Sequence, residues 1–246
     1  EFANSVVTGD DYDLDGVPDL VMGADWIISQ GVNGSTRCYS GRDATELWRV
    51  DNFPAPLGTG NNGSQGWMEV SASLGVQPGS PYPVIAWYDY DYWTLGTYTG
   101  RTRAYNSARA GQGPVTGVAC SSSAERPQIG ARQTASGARV TIAKGRPSAL
   151  GWLNLSLASQ TSYAGWQLPL DLTAFGLPGC NLYVGPQVTH LRLLGTNGID
   201  RGYAAVDLPF QLTTSTLGTS VVAQWLVLDP TTLDYAATPK HQLRGR

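Results

Sequence analysis

Lysine is nearly absent from this chain, with two among sixteen basic residues, and charged side chains of both signs make up only 14% of it. An average domain carries about 25%. Helices favour Ala, Leu, Glu and Lys, so a chain low in charge but well supplied with Gly, Pro, Thr, Trp and Tyr favours short strands joined by turns. No basic block occurs before the last few residues and the formal net charge is −3, which argues against nucleic acid as a partner, since counterion release needs clustered Lys and Arg. No apolar run approaches the ~20 residues that cross a bilayer. Histidine is limited to His190 and His241, and Gly-x-Ser-x-Gly, His-x-x-x-His, Cys-x-x-Cys and Gly-Lys phosphate-loop patterns are all missing. Nucleophilic, zinc, redox and nucleotide chemistry therefore lack their usual signals.

What is present is a hydrophobic content of 41% in 246 residues, enough for a packed core in one large or two modest domains. Its most informative stretch is Asp11-Tyr12-Asp13-Leu14-Asp15-Gly16-Val17-Pro18-Asp19, where carboxylates recur at every second residue and a fourth follows the third by four. Ca2+ takes about six to eight oxygens, and alternate side chains of a tightly curled loop can converge on one point while the residues between them face away. Gly16 falls where the chain must turn sharply, with a positive φ that Gly adopts without penalty. The expected ligands are Asp11, Asp13, Asp15, the backbone carbonyl of Val17, and Asp19. Without a cation these carboxylates would repel one another. The plainer reading is a solvated acidic turn, against which stand the regular spacing and Gly16. An EF-hand needs a longer loop ending in Glu between helices, whereas Ser5-Val6-Val7-Thr8 and Asp19-Leu20-Val21-Met22-Gly23-Ala24 read as strands.

In that setting Gly9 to Ala24, followed by Gly34-Ser35-Thr36-Arg37-Cys38-Tyr39-Ser40-Gly41, resembles one FG-GAP repeat of the integrin-alpha β-propeller type. The resemblance implies a structural Ca2+, or another divalent ion, held by Asp11, Asp13, Asp15, Val17 and Asp19 between two blade strands. Gly100-Arg101-Thr102-Arg103-Ala104-Tyr105-Asn106 echoes Gly34 to Ser40 at an offset of 66 residues. Between the two, Leu74 to Trp87 takes the place of a second acidic loop and its strand, with Pro78, Pro81 and Pro83 where carboxylates would stand. It looks like a second repeat that has lost its ion. Trp87, Asp89, Asp91 and Trp93, with Tyr88, Tyr90 and Tyr92 among them, read either as a wet aromatic rim for a ligand or as a blade edge. Two blades cannot close a propeller, which needs about four or more.

From Val118 the texture changes. Strand-like runs at Arg139–Ala143, Leu150–Leu155, Leu182–Val184, His190–Leu194, Ala204–Leu208 and Val221–Leu228, separated by turn residues, suggest a β-sandwich, with the nearly all-apolar last run at its centre. Pro169-Leu170-Asp171-Leu172, Phe175 to Val184 and Ala223 to Pro230 resemble a C-terminal β-sandwich module that follows FG-GAP repeats in large secreted proteins of planctomycete-like bacteria. That resemblance implies extracellular attachment or display, brings no catalytic residues, and pairs Cys120 with Cys180. Cys38, the third cysteine, is then left as a buried, inert thiol.

The sequence thus reads as all-β, with two propeller-blade-like antiparallel sheets over residues 1–117 and an Ig-like β-sandwich with a disulfide over 118–246. The function it suggests is that of a secreted or cell-surface bacterial calcium-binding adhesion or scaffold protein, meeting protein or glycan partners and able to self-associate through open blade edges. Two other classes remain in view. A divalent ion in an open shell at Asp11, Asp13, Asp15 and Asp19 would suit a metal-dependent hydrolase of phosphoesters, and the Trp87 to Trp93 rim a carbohydrate-binding module. Glu1-Phe2 is what a common cloning site encodes, so the chain reads as a piece of something longer. The basic tail from Ala236, with Lys240, His241, Arg244 and Arg246, is either vector-derived or natural.

Overall fold

A computed structural model describes residues 5–24, 35–51, 67–76, 82–94, 97–106, 115–123, 125–209 and 220–243, with backbone alone at Ala24, Asp51, 67–72, 87–94 and 97–106. Among these residues the protein is all-β. Every ladder in the described residues is antiparallel, and the only helical elements among them are two single 3-10 turns, Thr173–Phe175 and Gly198–Asp200. The chain divides into two compact units: residues 1–12 with 17–107, and residues 13–16 with 108–246.

In the first unit β1 (Ser5–Thr8), β2 (Leu20–Ala24), β3 (Ser35–Tyr39) and β4 (Glu46–Asp51) form a four-stranded sheet in chain order. Then β5 (Trp67–Val76), β6 (Pro83–Thr94) and β7 (Thr97–Asn106) form a three-stranded one, also in chain order. Of the repeated segments, Ser35–Tyr39 and Gly100–Asn106 fall on β3 and β7, the third strand of each sheet. Register aligns Val7, Val21, Cys38 and Trp48 in one row across all four strands of the first sheet. Because side chains on a strand alternate, such a row lies on one face, and it forms the core of this unit together with Tyr12 and Ile85. Tyr12 meets Trp48 edge to face, with ring centroids 6.3 Å apart. Cys38 is fully buried and outside any disulfide.

The second unit begins with β8 (Val115–Thr116), β9 (Cys120–Ser121), β10 (Gln128–Thr134), β11 (Gly137–Ala143) and β12 (Leu150–Leu157). Short ladders follow, β13 (Ser162–Tyr163) with β14 (Trp166–Gln167) and β15 (Leu170–Asp171) with β16 (Asn181–Leu182). The chain then returns through β17 (Val188–Leu193), β18 (Ala204–Leu208), β19 (Val221–Leu228), β20 (Tyr235–Ala237) and β21 (Lys240–Leu243). One sheet is ordered β10-β11-β18; the other is β17-β12-β19-β20-β9, with β21 joining β19 to β8. Ile129, Val140, Ile142 and Val206 of the first and Leu153, Leu155, Trp225 and Val227 of the second belong to one hydrophobic cluster. The apolar run Val221–Leu228 does occupy a central position, and Ala204–Leu208 alternates in burial as a half-buried strand should.

Both β20 and β21 pair with β19 because the chain is interrupted between them at Thr238-Pro239. There the Thr238 hydroxyl accepts the Trp225 N–H at 3.0 Å in place of a backbone carbonyl. His241 and Leu243 are buried in this ladder, so the tail as far as Leu243 is part of the sheet. Beside it Gln224, fully buried, accepts from the Tyr183 and Val184 N–H groups and donates to the Asn181 and Thr238 carbonyls. The Cys120–Cys180 disulfide is formed and packs with Leu172, Leu182 and Ala237.

Candidate metal centre

The loop between β1 and β2 is held at its base by the Asp19 N–H donating to the Asp10 carbonyl at 2.7 Å. Within it Leu14 and Gly16 take positive φ, 59° and 88°, and these two left-handed turns curl the chain tightly. Tyr12 and Leu14, between the carboxylates, are buried. Asp11, Asp13 and Asp15 converge: one carboxylate oxygen from each lies within 4.8 Å of the others. Asp13 and Asp15 are 2% and 1% exposed, and Asp11 is half-buried.

Asp19 is placed differently. Its Oδ2 accepts the Tyr12 N–H at 2.6 Å and its Oδ1 the Gly41 N–H at 2.9 Å, and it is not among the three carboxylates that converge. Gly41 reaches it because a Cβ there would overlap the Pro18 carbonyl, and Val17 packs against the same glycine. Val17 follows Gly16 in the turn, half-buried. Burial pushes the Tyr12 phenol up to about 12, with the Ser73 side chain offsetting part of the rise.

The tip of the loop, Asp13–Gly16, belongs with the second unit. Gly130 on β10 provides its seat: a Cβ at that position would overlap the carbonyls of both Asp13 and Leu14. Two residues along the same strand, and therefore on the same face, Arg132 donates from Nη1 to Asp13 Oδ2 at 3.2 Å with both side chains buried. Asp13 Oδ1 accepts the Asp15 N–H at 3.2 Å. Ile129 and Ala131, on the other face of β10, enter the hydrophobic cluster. Neither Gly130 nor Arg132 was marked by the sequence, since the partners lie 119 residues apart and no local spacing links them.

Set against family models, curated proteins and solved structures, the chain matches none. The geometry itself must therefore carry the reading. An all-oxygen, all-carboxylate donor set is the chemistry of a hard cation rather than of zinc or copper, which select nitrogen and sulfur. The cluster at Asp11, Asp13 and Asp15 could hold a metal ion, and the cradle at Gly130 keeps its tip in place.

Trp87, Asp89, Asp91 and Trp93 all lie on β6, with a bulge between Asp91 and Trp93. Their side chains lie outside the described residues, as do Pro78 and Pro81. A polar cleft in the second unit, about 540 Å³, is lined by Ser121, Ser123, Lys144, Arg146, Arg201 and Asp234 among others. Arg146 is fixed there between Asp229 and Asp234, at 2.6 Å from each.

Proposed function

We propose that this is an extracellular calcium-binding adhesion or scaffold protein, with two FG-GAP-type blades and a C-terminal β-sandwich, whose ion is structural. The observation that carries the reading is the convergence of Asp11, Asp13 and Asp15 in a strand-loop-strand setting. Calcium is favoured over magnesium because Ca2+ accepts an irregular set of carboxylate and carbonyl oxygens, while Mg2+ demands near-ideal octahedral geometry and keeps several waters. Burial of Asp13 and Asp15 leaves a substrate little access, which favours a structural ion over the phosphoester-hydrolase reading. The Cys120–Cys180 disulfide suits an oxidising compartment. No helix among the described residues is long and apolar enough to cross a membrane. Protein or glycan surfaces are the partners such a role calls for, and the edges of the open sheets in the first unit offer a route to self-association.

The test is thermal unfolding of the chelator-stripped protein against added Ca2+. At a hundredfold excess over Kd a site on the folded state adds about 2.7 kcal/mol, which for a chain of this size raises Tm by roughly 5–10 °C. A melting point indifferent to millimolar Ca2+ defeats the reading. Calcium-dependent turnover of a model phosphodiester by the same sample would replace it with the hydrolase.

A further inference from the structure

We propose that the polar cleft of the second unit binds an acidic saccharide, whose carboxylate is held by Lys144 and Arg201. Such a site names a partner class for the adhesion reading but does not depend on the ion loop, whose residues do not line the cleft. Its walls come from separate connections: Ser121 to Ser123 and Glu125 after β9, Lys144 to Pro147 between β11 and β12, and Asp229 and Asp234 between β19 and β20. Arg201, from the connection before β18, completes it. Its volume of about 540 Å³ is that of a small-molecule site.

The charges facing the cleft are Lys144, Arg146 and Arg201 against Glu125, Asp229 and Asp234. Arg146 bonds Asp229 and Asp234 at 2.6 Å each, so these three are committed to one another. Both carboxylates are occupied further: Asp229 accepts the Thr231 and Thr232 N–H groups, and Asp234 the Ser122 and Thr232 hydroxyls. Two cations then remain against the single carboxylate of Glu125. Lys144 and Arg201 are exposed, and among the described residues neither side chain has a bonded partner. The backbone sets them at one place. The Gly145 N–H donates to the Gly202 carbonyl at 2.9 Å, and a Cβ on Gly202 would overlap the Gly145 carbonyl, so the residues just before these two glycines stand at a close crossing of the chain. Lys144 itself is held at φ 56°, the left-handed region that favours glycine, yet it carries a long cationic side chain.

An excess of positive charge in a concave site selects an anionic group, and the rest of the lining selects what bears it. The Ser121 and Ser123 hydroxyls lie 2.8 Å apart, and each hydroxyl can both donate and accept. With Glu125 as an acceptor beside them, they match ring hydroxyls, which also do both. Apolar contact is limited to Pro147, Val227, Ala236 and the ring of Tyr235, too little to enclose an acyl chain or a nucleobase.

The experiment is a heteronuclear NMR titration of the full chain at a fixed millimolar Ca2+ concentration, with trigalacturonate, neutral trigalactose, triglutamate and inorganic sulfate as separate probes. Trigalacturonate is expected to shift the Lys144, Gly145, Arg201 and Ser121 amides saturably and to bind at least about tenfold more tightly than any other probe. Lys144→Gln and Arg201→Gln should each weaken it about tenfold or more, as loss of a charge-assisted hydrogen bond does. Lys144→Gly, which suits the backbone at that position, is the second variant and should lose as much. Arg126→Gln, exposed but outside the cleft, should stay within about threefold of the wild type. No saturable shift up to about 10 mM trigalacturonate overturns the proposal. So does equal affinity for trigalactose, for triglutamate, which would make the site one for acidic peptides, or for sulfate, which would make it a bare anion site. Folded Lys144 and Arg201 variants that keep the wild-type affinity, or an Arg126→Gln loss as large as theirs, overturn it as well. Each of these outcomes is separate from a melting point indifferent to Ca2+, which bears on the ion loop alone.

Discussion

Replacing Gly130 with alanine is the smallest change that tests whether the acidic loop is seated as described. The added Cβ would overlap the Asp13 and Leu14 carbonyls and stand 2.7 Å from Thr141 Oγ1. The first two are backbone atoms, so no rotamer change relieves them and the loop tip must withdraw. Overpacking of this kind costs about 1–3 kcal/mol. Withdrawal also stretches the Arg132–Asp13 bond from its 3.2 Å, and a hydrogen bond between charged groups contributes about 1.5–3 kcal/mol. Against these, alanine restricts the unfolded chain more than glycine does, which returns about 0.4–1 kcal/mol. The net expectation is a loss of about 3 kcal/mol, or a fall in Tm of roughly 6–12 °C, measured in chelator so that bound cation does not compensate. Gly176→Ala is the control, because nothing lies within 4 Å of its missing Cβ and its φ of 81° leaves only backbone strain, about 1–2 kcal/mol. Should Gly130→Ala destabilise no more than Gly176→Ala, the loop tip does not rest on β10.

Removing the disulfide with Cys120→Ser and Cys180→Ser frees a loop of 60 residues, a loss of about 4 kcal/mol on the chain-entropy argument; a guanidinium midpoint unchanged from the oxidised protein would contradict it. Gln224→Leu keeps the volume but strands two N–H and two carbonyl partners, and about 3–5 kcal/mol should be lost in urea unfolding, a cost under about 1 kcal/mol counting against the network. Asp229 is held down to about 2, first by the Thr231 backbone N–H and then by Arg146 and Thr232. Its folded pKa lies below its unfolded one, so its contribution is complete above about pH 4 and disappears as pH falls through about 2. In Arg146→Ala the Asp229 carboxyl, followed by NMR titration, should stay well below the usual carboxylate range, because the backbone turn and not the guanidinium is the larger cause; a return to the usual range would refute that order of causes.

The apolar strands were legible because burial imposes a period the sequence can show. Val221–Leu228, flanked on both sides within its sheet, reads as a continuous apolar run, and Ala204–Leu208 shows alternation because one face is wet. The acidic loop was legible for a similar reason, since convergence on one point requires alternate carboxylates and a turn residue. β10 was not. It is buried on both faces, yet only Ile129 and Ala131 meet hydrophobic neighbours, while Gly130 and Arg132 meet the loop tip. A strand whose second face carries an empty position and a charge has no apolar signature. The same limit hid β20 and β21, where Thr238-Pro239 breaks the run and a buried His241 stands in for an apolar residue. Asp19 has a second part that its spacing does not show: it accepts the Tyr12 N–H within the loop and the Gly41 N–H 22 residues on.

The shortage of lysine has a counterpart in how the arginines are used. Arg139 faces Asp207 directly across β11 and β18 and holds it with two parallel bonds, a geometry that a fork can make and an ammonium cannot. Arg146 spans two carboxylates, and Arg132 ties a strand to a loop distant in sequence. Exposed pairs of this kind contribute only about 0–1 kcal/mol each, so their value is better sought in alignment than in stability. Slipping β18 by one residue against β11 would separate Arg139 from Asp207 and turn Val206 away from the cluster it shares with Val140 and Ile142. Charge and hydrophobic pattern then select the same register. At Arg132 no strand register is available to place an acidic loop, and the buried guanidinium joins Gly130, which seats the loop tip, in holding it against β10.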